Sequence, residues 1–151
     1  MGRTAPRILS LALLLALACA ATAYALGTGA NVSGRGRLVY TATAEATVFA
    51  SEVRAGARIV VSKTGTITPT CVVVKRRPCF RVERRTGAII ALRPIRFLVD
   101  GTAYRLAITS SAPFVIGLSG TGKVLLVGKG SYTVDGATHT YRGTRTVVLG
   151  A

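Results

Sequence analysis

From Gly34 onward the chain alternates polar and apolar residues with a period of two, and no long window carries helical spacing. Across residues 37–49, Leu38, Tyr40 and Ala42 fall on one side, and Arg37, Val39, Thr41 and Thr43 on the other. The frequent Gly, Thr and Val are poor helix formers. The pattern predicts an all-β fold, an antiparallel sandwich or irregular barrel of about ten to twelve short strands.

Two turns are legible. Val99-Asp100-Gly101-Thr102 and Val134-Asp135-Gly136-Ala137 place Asp-Gly between alternating segments, the strongest short-range hairpin signal. A two-residue loop at Asp100-Gly101 pairs Phe97 with Tyr104 and Ile95 with Leu106, and sets Arg96 opposite Arg105. Like charges across a ladder repel unless solvent or an anion separates them, so this pair points weakly to an anion site. The second loop pairs Val134 with Ala137 and Tyr132 with His139.

A faint repeat raises a short β-solenoid as the alternative fold. Ser33-Gly34-Arg35-Gly36-Arg37-Leu38-Val39 matches Ser119-Gly120-Thr121-Gly122-Lys123-Val124-Leu125, and Gly128-Lys129-Gly130 echoes the Gly-x-Gly part. Its spacings are irregular, which favours strand-entry turns in a sandwich or barrel.

The N-terminus breaks the β pattern. Arg3 and Arg7 precede residues 8–26, which carry no charge, and Ala-rich frames suited to signal peptidase follow at Ala18-Cys19-Ala20, Ala21-Thr22-Ala23 and Ala23-Tyr24-Ala25. Residues 1–25 read as a signal-peptide helix, and residues 26–151 as one exported domain. An uncleaved anchor or lipidation at Cys19 would export the same domain, so the localisation expected is secreted, periplasmic or envelope-associated. Past the signal, Cys71 and Cys79 form an even pair, which an oxidising compartment joins as a disulfide. A lone histidine, His139, and two thiols leave no metal site.

Charge comes next. The chain carries 20 Lys and Arg against 5 Asp and Glu, a net of +15. Its densest run is Lys75-Arg76-Arg77-Pro78-Cys79-Phe80-Arg81-Val82-Glu83-Arg84-Arg85. A field of this size draws polyanions, and arginine binds phosphate or carboxylate through two parallel hydrogen bonds. Lys75, Arg76, Arg77, Arg81, Arg84 and Arg85 are therefore the candidate anion-binding residues, on a basic hairpin pinned by Cys71 and Cys79. The bland reading is a solvated edge whose charges discourage sheet-to-sheet pairing.

Other motifs dissolve on inspection. Gly117-Leu118-Ser119-Gly120-Thr121-Gly122-Lys123-Val124 resembles a phosphate loop but has Val124 in place of the magnesium-binding hydroxyl, and a strand pattern follows. Asn31-Val32-Ser33 fits a glycosylation sequon, which has meaning only in an organism that uses it. Asp100 and Asp135 sit in turns, and Glu83 among arginines reads as an ion-pair partner. Glu45 and Glu52 remain, with nothing to bring them around a substrate.

The sequence thus reads as a non-enzymatic exported basic β-domain without cofactor. Its expected partner is an anionic envelope polymer or lipid headgroup, and export excludes intracellular nucleic acid. The rival is a structural or assembly protein of the envelope, in which charge is solubilising surface.

Overall fold

Strand alternation persists far longer than the turn-like clusters suggest. The computed structural model describes residues 29–73 and 77–150, and strand makes up 78% of these with no helix among them. The elements are β1 (Gly29–Val53), β2 (Arg58–Val61), β3 (Gly65–Cys71), β4 (Phe80–Val82), β5 (Ile89–Ala91), β6 (Ile95–Thr102), β7 (Arg105–Val134) and β8 (Ala137–Leu149). They form one antiparallel sheet in the order β3-β6-β1-β7-β2-β5-β4, with β8 paired to β7, curled into a half-barrel. Among the described residues there are thus eight elements rather than ten to twelve. They make a single sheet, neither two packed sheets nor the rungs of a solenoid. Residues 1–25, expected to be a signal peptide, lie outside the described residues.

The count falls because β1 and β7, 25 and 30 residues long, bend at their glycines instead of ending there. Ser119 pairs with both Gly29 and Thr47, which lie eighteen positions apart on β1. Thr41 pairs with both Arg105 and Lys123, again eighteen apart on β7. Eighteen extended residues reach roughly 59 Å, yet two strands flanking a third stand only about 10 Å apart. Each long strand must therefore coil back on itself around the other.

Paired glycines permit that coiling. Gly34 faces Gly130, and Gly36 faces Gly128. Gly36 and Gly128 have φ of +112° and +133°. A Cβ on Gly36 would overlap the Val127 carbonyl oxygen, and one on Gly128 that of Arg35. The Gly-x-Gly echo in the sequence therefore marks the two sides of one close approach.

The core is the concave face of this sheet. Leu38, Tyr40, Val48, Phe97, Leu106, Ile108, Phe114, Ile116 and Leu126 are all buried. Each such side chain contributes about 1.5–3 kcal/mol of burial free energy. Tyr40 and Tyr104 meet edge-to-face, centroids 6.3 Å apart. The Tyr104 hydroxyl donates to the Ala46 carbonyl at 3.0 Å, whereas the Tyr40 hydroxyl is buried with no hydrogen-bond partner. Burial raises both phenols above the ordinary tyrosine range.

One expected hairpin forms and the other does not. At Asp135-Gly136, Val134 pairs with Ala137 and Tyr132 with His139, as the turn chemistry requires. At Asp100-Gly101 no hairpin forms. Gly101 pairs with Ala46 on β1 and with Gly65 on β3, so both edges of β6 are filled and the strand continues to Thr102. The chain turns at Ala103, with φ +53°, before β7. Arg96 consequently lies opposite Thr70 and Arg105 opposite Thr41, so the expected arginine pair does not form. The alternation was right: Ile95, Phe97, Val99, Tyr104 and Leu106 are all buried, against other partners.

Among the described residues no helix is long and apolar enough to cross a membrane. Gly128→Ala should lower unfolding free energy by about 3–5 kcal/mol in urea titrations. Gly143→Ala, at φ +95° but with open space around it, should lower it by about 1–2 kcal/mol. Tyr40→Phe, which removes a buried unpaired hydroxyl, should be neutral or stabilising in the same assay. Tyr104→Phe should cost about 1 kcal/mol through its lost hydrogen bond.

Candidate functional site

Cys71 and Cys79 are joined by a disulfide, with Cα atoms 5.8 Å apart. Closing so short a loop contributes roughly 2–3 kcal/mol through the unfolded chain. Between the two cysteines the described residues 72–73 and 77–78 carry no strand; β3 pairs with β6 and β4 with β5, and β3 and β4 follow one another along a single edge. The loop is tied to the facing residues 92–94. The N–H groups of Leu92 and Arg93 both donate to the Cys79 carbonyl, at 2.8 and 3.1 Å, and the Val72 N–H donates to the Pro94 carbonyl at 3.3 Å.

Around this staple the candidate cations separate into two groups. Arg77 lies in the bridged loop and Arg81 on β4, while Arg84 and Arg85 occupy the turn beyond β4; all four are exposed. Lys75 and Arg76 lie outside the described residues. Sequence reasoning missed Arg93, beside the disulfide, whose Nη1 is buried without a hydrogen-bond partner. A buried guanidinium N–H left unpaired is costly, and an acceptor at that position would relieve it.

The carboxylates are dispersed. Glu83 is an ion-pair partner, but of Arg58 at 2.6 Å rather than of its arginine neighbours in sequence. Arg58 also donates to Thr86 Oγ1 at 3.3 Å. The Arg58 hydrogen bond holds the Glu83 carboxyl below the ordinary glutamate range, against the opposing pull of desolvation. Glu52 lies 3.6 Å from Arg54. Glu45 stands seven positions away on β1, roughly 20 Å of extended strand, so the ladder separates the two.

His139 stacks on Tyr132, ring centroids 5.2 Å apart, and Arg145 Nε donates to the Tyr132 hydroxyl at 3.0 Å. Lys123, from the Gly-rich run, sits within β7 between Thr41 and Val148, with no helix behind it. Among the described residues no three His, Cys, Asp or Glu side chains cluster as a metal site.

The sheet also assembles cations that are remote in sequence. Arg35 on β1 pairs with Lys129 on β7, and Lys129 pairs with Arg142 on β8. Gly36, Gly128 and Gly143, all at positive φ, form the adjacent row. The signal for this row was present as Gly34-Arg35-Gly36 and Gly128-Lys129-Gly130, a basic residue between two glycines in each. Only the register shows that they are neighbours. No protein-family model matches the chain, and comparisons with curated proteins and solved structures likewise found no match.

The Arg58–Glu83 pair gives a pH prediction. Because the folded-state Glu83 pKa is depressed, its contribution is full above the unfolded value, about 4.3, and is lost as pH falls through the folded value. Urea midpoints of the parent should exceed those of Glu83→Gln at neutral pH, and the gap should close as pH falls below the ordinary glutamate range.

Proposed function

We propose that this chain is an exported, non-enzymatic module that binds anionic components of the cell envelope or its surroundings. The disulfide-closed loop and its flank, Arg77, Arg81, Arg84 and Arg85 with Lys75 and Arg76, are the contact surface in this reading.

One observation carries it: the cations are unneutralised. Sixteen of the 20 basic residues are described, and two of them pair with side-chain carboxylates, which leaves fourteen without one. All five carboxylates are described, and Glu45, Asp100 and Asp135 make no ion pair with a described cation. The chain's net charge of +15 maintains an attractive field for polyanions over about a Debye length, roughly 8–10 Å at physiological salt. The disulfide restrains the loop, so an anion that binds there loses less conformational entropy. The same disulfide is consistent with an oxidising compartment outside the cytosol.

Co-sedimentation with purified cell envelopes across a salt series tests the reading. The parent should pellet at low salt and release at about 0.5 M. Arg77→Ala/Arg81→Ala/Arg84→Ala/Arg85→Ala should remain largely in the supernatant throughout. Failure of the parent to pellet, together with a large salt-insensitive oligomer on size exclusion, would instead favour the structural or assembly role.

A further inference from the structure

Lys129 is in an unusual electrostatic position. A cation on an edge strand can splay away from a single like-charged neighbour. Lys129 lies on β7 between β1 and β8, with Arg35 directly opposite on one side and Arg142 on the other. Directly opposed residues stand about 4.5–5.5 Å apart at Cα, so three exposed cations share a row roughly 10 Å long. Like charges so placed repel.

The row borders an open cleft of about 470 Å³, whose lining includes Ser33 and Thr140 and no carboxylate. Gly34 and Gly130 form part of its wall, and the Tyr141 ring covers them: a Cβ on Gly34 would overlap its hydroxyl.

We infer that the row Arg35, Lys129 and Arg142, with the hydroxyls of Ser33 and Thr140, is a binding site for a phosphoryl group, free or carried on a polymer. Charge and shape choose the ligand class. A single arginine can saturate both oxygens of a carboxylate, which carries one negative charge. A phosphoryl group carries about −1.5 to −2 and presents three strong acceptor oxygens, enough to engage all three cations at once. The cleft lies in the size range of ligand sites, about 300–1,000 Å³, with room for whatever the phosphate is attached to. The inference shares the proposed function's premise that the domain binds anions, but it uses none of the disulfide-loop residues.

The test is a titration of the full chain, followed by ¹H–¹⁵N correlation spectra at constant ionic strength. Orthophosphate and a linear polyphosphate are added separately, with acetate as the carboxylate control. Phosphate should shift the amides of residues 33–36, 128–131 and 140–143, and acetate should not. Lys129→Gln should weaken binding about tenfold, the loss of one charge-assisted hydrogen bond. Arg81→Gln/Arg84→Gln/Arg85→Gln, which removes more charge elsewhere, should bind phosphate as the parent does.

Lys129→Gln should also melt no lower than the parent in anion-free buffer, because its removal relieves repulsion. Tighter binding per phosphate by polyphosphate would assign a polymer as the source, and equal binding a free phosphate. The inference is overturned if phosphate shifts nothing, if acetate competes equally, or if the loop variant loses as much affinity as Lys129→Gln. A parent that binds envelopes in a loop-dependent manner but ignores phosphate would sink this site and leave the proposed function standing.

Discussion

The approach of β1 to β7 at Gly34, Gly36, Gly128 and Gly130 sets the shape of everything else. With side chains at these positions the two strands would be held apart at the crossing, and neither could coil back to meet the other a second time. Because they do, Leu38 gains Ile108 on one side and Leu126 on the other, and Tyr40 gains Leu106 and Val124. The concave face closes over one core, and the remaining strands add to its flanks. β6 packs along β1, β2 and β5 extend past the end of β1, and β3 and β4 line the outer edge.

Curvature also decides where charge goes. A small curled sheet has one apolar interior, so nearly every described basic residue faces outward or sits on a turn. With five acids in the whole chain, two of them engaged with Arg54 and Arg58, the outer surface is left electropositive. Along the edge that carries β3 and β4, the disulfide joins the end of β3 to the residue before β4. Arginines on an edge serve two ends at once, since they discourage strand addition and present donors to anions.

The glycines and the cations belong to one arrangement. A glycine beside each of Arg35, Lys129 and Arg142 lets the strands bend together, and the bend brings the three charges into line. The fold thus holds a repulsive row at the point where its backbone is barest, while the nearby Tyr141 ring restores apolar cover to the glycine pair.

What the sequence determined by itself was local. The period of two sets strand and face: Leu38 and Tyr40 share one side, and Phe97 and Leu106 share an apolar one, whichever strands they meet. Asp135-Gly136 set its own register, because a two-residue turn leaves its flanking strands no other pairing. The even cysteine pair across a short loop announced the disulfide. Tertiary structure decided whatever depended on chain far away. Asp100-Gly101 carries the same turn chemistry as Asp135-Gly136, but β1 and β3 occupy both edges of β6 and keep it straight. Glu83 chose Arg58, 25 positions away, over the arginines beside it. The Arg35, Lys129 and Arg142 row unites segments from both ends of the domain, and no periodicity in any one of them could report it. Turn and face are set by interactions between near neighbours, whereas strand partners are set by the single curvature that buries the whole apolar face at once.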